Sequence, residues 1–176
     1  MSSSTRSSFE SADLQGPHKL ADYRFLTTWL LGAPRQRAWE LLERPLEWPR
    51  WWRGVVRVEE RSPGGECRVG SCYRVEWRSR IPYSIEFDFT VEEVEEPGLM
   101  SGRAEGDLNG HGRWRLFEDG GVSAVLYEWN VETSKAWMNA VAPLARPIFD
   151  WNHDLVMRWG GEGLARELGT PLLASG

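Results

Sequence analysis

Between residues 55 and 133 the chain is cut into short alternating runs by turns too brief to carry a crossover. Pro63-Gly64-Gly65, Pro97-Gly98, Asn109-Gly110 and Asp119-Gly120-Gly121 are all turn signals. Ser71 to Ser79 sets Tyr73, Val75 and Trp77 against Cys72, Arg74, Glu76 and Arg78. Tyr83 to Val94 sets Ile85, Phe87, Phe89 and Val91 against Ser84, Glu86, Asp88 and Thr90, and Val122 to Thr133 repeats the pattern with Val125, Tyr127, Trp129 and Val131. A period of two puts one set in a core and the other in water. Parallel neighbours would need a connection of a dozen residues, so these runs predict an antiparallel meander. Leu99 to Leu108 is a weaker strand, with Gly102, Ala104 and Gly106 on the face of Met100 and Leu108. Small residues on the inner face of a curved sheet leave room or let it bend, which predicts a cavity over a tight sandwich.

Helical signals flank the meander. Tyr23 to Leu31 reads as a first strand that stops at Gly32-Ala33-Pro34. Pro34 is suited to open a helix over 34–43, and Pro45 leads into a further turn or two over 46–52, interrupted by Pro49. At the other end, Pro143 to Trp159 sorts on a helical wheel. Leu144, Ala145, Ile148, Phe149, Trp151, Leu155, Val156 and Trp159 fill one arc, with Arg146, Asp150, Asp154 and Arg158 opposite. Asn152 falls inside the apolar arc. A buried amide costs free energy unless it is hydrogen-bonded, so Asn152 is expected to face the sheet, in reach of a tyrosine, a water or a ligand. His153 lies at the arc's edge toward the charged side and reads as a rim or surface histidine. Pro143 and Pro147 predict a kink, or a start near Pro147. Gly160-Gly161 predicts a weak helix end, with a bend or a change of packing partner beyond it.

The sequence holds one domain over 21–170, preceded by a Ser-rich, disordered tail over 1–20 and followed by a short tail over 171–176. Net charge is -5 and pI about 5.3, so the basic footprint of a nucleic-acid binder is missing. Eleven tryptophans are many for one small core, and some are expected to line a pocket. Cys67 and Cys72 form no disulfide framework and no C-x-x-C pair. There is no secretory signal and no apolar run long enough for an integral membrane segment, so the expectation is a cytoplasmic protein. His18, His111 and His153 are not spaced as metal ligands, and no phosphate loop or nucleophile elbow is present. No metal and no cofactor are expected.

The order of strand, two short helices, antiparallel sheet and long C-terminal helix resembles the START-like superfamily (helix-grip, SRPBCC), of the polyketide cyclase/dehydrase type. The resemblance runs from about residue 22 to 168. It is carried by Ala33 to Trp52 with its Trp48-Pro-Arg-Trp-Trp52 turn, by Gly110-His-Gly-Arg-Trp114, by Trp151-Asn-His-Asp154 and by Met157-Arg-Trp-Gly160. It implies an α+β helix-grip fold, a curved sheet wrapped around the last helix, with an apolar pocket between them. On that fold the expected ligand-binding residues are Tyr73, Trp77, Phe87, Trp114, Tyr127, Trp129, Ile148, Asn152, Leu155 and Val156. Asn152, Tyr127 and His153 are the candidates for any catalytic role. Three functions follow: a carrier or sensor of a small hydrophobic (aromatic, polyketide-like or lipid-like) ligand, a cyclase/dehydrase-type enzyme, or a protein-interaction module built on Trp48, Trp51 and Trp52.

Overall fold

The computed structural model describes residues 22–134 and 136–176, with the backbone alone for 136–145. The expected tail over 1–20, His18, and the side chains of Leu144 and Ala145 lie outside the described residues.

Strand β1 (Asp22–Leu31) ends at the Gly32–Pro34 break, and α1 (Arg35–Leu42), a 3-10 turn at Pro45–Glu47 and α2 (Trp48–Trp51) follow. The meander is β2 (Val55–Ser62), β3 (Cys72–Arg78), β4 (Ser84–Glu95), β5 (Leu99–Gly106), β6 (Leu108–Asp119) and β7 (Val122–Thr133). Then come α3 (Ala136–Leu168) and β8 (Leu172–Ser175). The strands form one curved antiparallel sheet of order β2-β3-β4-β5-β6-β7-β1-β8. The fold is α+β helix-grip, as the element order implied. The last residues, expected as a tail, form the edge strand β8, held to β1 through Gly176 and Thr28.

One turn differs from expectation. Asn109 and Gly110 are not the hairpin tip but lie within β6, opposite Glu132 and Val131. The chain reverses at Gly106-Asp107 instead, where Asn109 Oδ1 accepts from the Gly106 N–H at 3.1 Å. Gly110 has φ +155°, and a Cβ there would lie 2.1 Å from Asn130 O. The dipeptide serves close strand packing rather than the turn.

The small residues of the inner face do not leave the space expected. A Cβ on Gly102 would sit 2.7 Å from Phe89 Cζ, and one on Gly112 would sit 2.7 Å from Trp129 Cε3. Rings occupy the room the glycines concede, and the empty volume lies elsewhere.

Helix α3 is continuous through Pro143, Pro147, Gly160 and Gly161. Its glycines are seats for tryptophan. A Cβ on Gly160 would lie 2.5 Å from Trp52 Cε2, on Gly161 2.9 Å from Trp29 Cδ1, and on Gly163 2.0 Å from Trp51 O. Trp52 Nε1 donates to Val156 O at 2.8 Å, tying α2 to α3. Each glycine costs a helix interior about 1 kcal/mol relative to alanine, and close packing of buried indoles offsets that. Trp48, Trp51 and Trp52 are therefore core, joined through rings 5.4–5.7 Å apart to Trp29, Trp77 and Trp114. They are not exposed anchors for a partner protein.

The glycine seats also set the phase of α3. Phe149, His153, Val156, Met157, Leu164 and Leu168 are buried, whereas Ile148 and Trp151 are 54% and 48% exposed. Leu155 and Trp159 are only partly covered, and Arg53 stacks over the Trp159 ring at 4.5 Å. The inward face is thus turned round the helix from the apolar arc. Two corrections follow: Ile148 points to solvent, and His153 points inward.

Candidate functional site

An apolar cavity lies between the sheet and the middle of α3. Alternation brings Tyr23 and Phe25 of β1 to the inner face, beside Trp129 and Val131 of β7 and Leu108 of β6. Trp77, Tyr83 and Ile85, around the β3–β4 hairpin, form a second wall. Phe149, Asn152, His153 and Val156 close it from α3. A water centre has about 70 Å³ in which to move, and the empty space including the mouth is about 520 Å³. One water needs roughly 10–15 Å³ by the first measure, so the enclosed space has room for several waters or one ring-sized molecule, below the roughly 300–1,000 Å³ of drug-sized ligand pockets.

Of the ten expected binding residues, Trp77, Trp129, Asn152 and Val156 line this cavity. Tyr73, Phe87, Trp114 and Tyr127 surround a neighbouring gap, which Trp77 also touches, of only about 20 Å³. That gap is the ring-packed heart of the sheet. Tyr127 stacks on Trp114 with centroids 4.0 Å apart, and burial pushes its hydroxyl pKa well up. Ile148 and Leu155 line neither space. The tyrosines at the cavity are Tyr23 and Tyr83 instead. Sequence reasoning missed them, although Tyr23, Phe25, Thr27 and Trp29 share one face of β1 by plain alternation.

Polar atoms converge on these apolar walls. Tyr23 Oη, Trp77 Nε1, Asn152 Oδ1 and both ring nitrogens of His153 are buried without a hydrogen-bond partner among the described residues. The His153 ring lies flat on Phe25, with centroids 3.8 Å apart and planes 8° from parallel. Burial drives its pKa down to about 4, against the weaker upward pull of Asp154. Asp154 Oδ1 stands 3.7 Å from Nδ1, close enough to be felt and too far for a hydrogen bond. His153 is therefore neutral near pH 7, with one nitrogen able to accept and the other to donate. Burial also raises the Tyr23 hydroxyl, with Arg146 opposing, and lifts Tyr83 to about 12. Among the described residues the titratable groups lining the cavity, Tyr23, Tyr83 and His153, are uncharged at neutral pH, no carboxylate stands in its walls, and no cluster of His, Cys, Asp or Glu could hold a metal ion.

No described helix is long and apolar enough to cross a membrane. The family model described as polyketide cyclase / dehydrase and lipid transport matches residues 24–169. Among solved structures, the Zhui aromatase/cyclase from Streptomyces sp. R1128 superposes with a TM-score of 0.70 at 14% identity, covering 85% of this chain and 94% of its own. A START superfamily protein from Mycobacterium smegmatis gives 0.64 at 14% identity, over 82% and 98%. A norcoclaurine synthase from Thalictrum gives 0.56 at 13% identity, over 86% and 98%. At such identities the likeness is one of fold. No curated protein matches the chain.

Proposed function

Since the chain belongs to the polyketide cyclase / dehydrase and lipid transport family, we propose that it binds a small, largely apolar molecule between sheet and α3, as a carrier or sensor. One observation carries this reading. Four residues that line this one apolar cavity from three parts of the chain, Tyr23, Trp77, Asn152 and His153, carry buried polar atoms with no hydrogen-bond partner among the described residues. Each such atom costs about 1–3 kcal/mol if it stays unsatisfied. Native sites keep unpaired polar groups where a ligand or water answers them. The rings of Phe25, Trp77, Trp129 and Phe149 supply the apolar contact that gives most of the affinity.

Native mass spectrometry of the purified protein tests this directly. The expected spectrum carries a small-molecule adduct, or gains one on incubation with aromatic or lipid-like compounds, and the adduct weakens in Asn152→Leu. A bare spectrum under both conditions, with no thermal shift from any compound, would refute the reading.

A second reading, an enzyme of the cyclase/dehydrase kind, draws on His153. A neutral imidazole beside Tyr23 and Tyr83 can pass a proton between a bound molecule's carbon and oxygen atoms, while the cavity holds a reactive chain folded. His153→Phe separates the two readings: an enzyme loses far more turnover than binding, whereas a carrier has no turnover to lose.

A further inference from the structure

We propose that the occupant of this cavity is an uncharged, ring-sized molecule bearing a hydroxyl group, and that carboxylates and phosphates are rejected. The inference rests on the ligand-binding reading and adds the chemistry of the ligand. The unpartnered atoms are of two kinds. Asn152 Oδ1 and one nitrogen of His153 want a donor, while Trp77 Nε1 and Tyr23 Oη want an acceptor. A hydroxyl answers both, with one O–H and two lone pairs. Turning the Asn152 amide over exchanges its acceptor for a donor, and the hydroxyl still fits.

A carboxylate or phosphate dianion only accepts. Among the described residues no lysine or arginine lines the cavity, so an anion stripped of water there finds no opposite charge in the walls to repay its desolvation. Charged groups also stand outside the lining. Arg146 is exposed, its guanidinium 6.0 Å from the Tyr23 ring, and Asp154 is exposed beside His153. Asp154 adds repulsion toward an anion bound at the imidazole. A cation fares no better, since among the described residues no carboxylate lines the cavity.

Isothermal titration of the full chain at pH 7 with 2-naphthol, 2-naphthoate and naphthalene tests the proposal on one ring system. Naphthol should bind about tenfold more tightly than naphthalene, the worth of one net hydrogen bond, and about a hundredfold more tightly than naphthoate. Asn152→Leu should erase the preference for naphthol over naphthalene; His153→Phe, which keeps a ring on Phe25, does the same should the first variant not fold. Naphthoate binding as well as naphthol, or naphthalene equalling naphthol, overturns this proposal and leaves the ligand-binding reading standing. Loss of all three, naphthalene included, overturns the ligand-binding reading and this proposal with it.

Discussion

Acid should loosen the wild-type fold more than it loosens a His153→Phe variant, and the size of the difference follows from where the imidazole sits. In the folded chain His153 is buried against Phe25 and resists protonation down to about pH 4, whereas an unfolded histidine takes a proton near 6.5. As pH falls through that window, the unfolded state gains protons that the folded state refuses. Stability is therefore lost on the acid side and is fully recovered above about pH 6.5. At about 1.4 kcal/mol per pH unit, the gap between 6.5 and 4 is worth roughly 3 kcal/mol. Phenylalanine keeps the stack and removes the titration. Asp154, Asp150, Arg146, Tyr23 and Tyr83 stand around the site in both proteins, so the comparison isolates the buried imidazole together with its contact to Asp154. Urea denaturation of both at pH 7.5, 6.5, 5.5 and 4.5 measures the effect: wild type should lose ground to the variant only below pH 6.5, by about 3 kcal/mol near pH 4. Parallel stability curves would refute the burial of a neutral imidazole. So would a gap that widens toward alkaline pH.

Other substitutions probe the same geometry. Gly163→Ala should cost about 2–4 kcal/mol despite better helix propensity, because its Cβ meets backbone, the Trp51 carbonyl, at 2.0 Å; thermal unfolding at or above the wild-type midpoint would contradict this. Gly160→Ala, which meets the Trp52 indole, should cost about 1–3 kcal/mol and redden the tryptophan emission as the cluster opens. Asn152→Leu should leave the ligand-free protein as stable as wild type or about 1 kcal/mol more so, since it deletes a buried acceptor with no partner; a large loss in calorimetry would mean that the amide holds the fold together. Ile148→Ser should change stability by less than about 0.5 kcal/mol, as an outward residue would.

The sheet was legible in the sequence because its signals are local. A period of two and a turn dipeptide are visible within ten residues, and β3, β4 and β7 lie where alternation put them. The phase of α3 was not legible, because its buried face is marked partly by glycines, which register on a hydropathy wheel as nothing. What makes Gly160, Gly161 and Gly163 interior is the bulk of Trp29, Trp51 and Trp52, residues more than a hundred positions away. The same blind spot turned Ile148 inward and His153 outward on paper. Asn152 was read correctly as facing the sheet, since it lies between the assumed face and the true one. Gly102 misled in the opposite sense: a small residue marked where a ring lies, not where space is.

The place of β1 has a consequence for how the chain is made. Tyr23, Phe25 and Trp29 leave the ribosome well before their partners, since among the described residues β1 pairs only with β7 and β8, beginning at Val122 and Leu172. At about 5–20 residues per second, roughly a hundred residues of further synthesis hold that aromatic strand without a neighbour for about 5–20 seconds. The whole β2–β6 meander can assemble in that interval, and the cavity cannot. Its floor stays open to water, and to any holding chaperone, until β7 and α3 have been made.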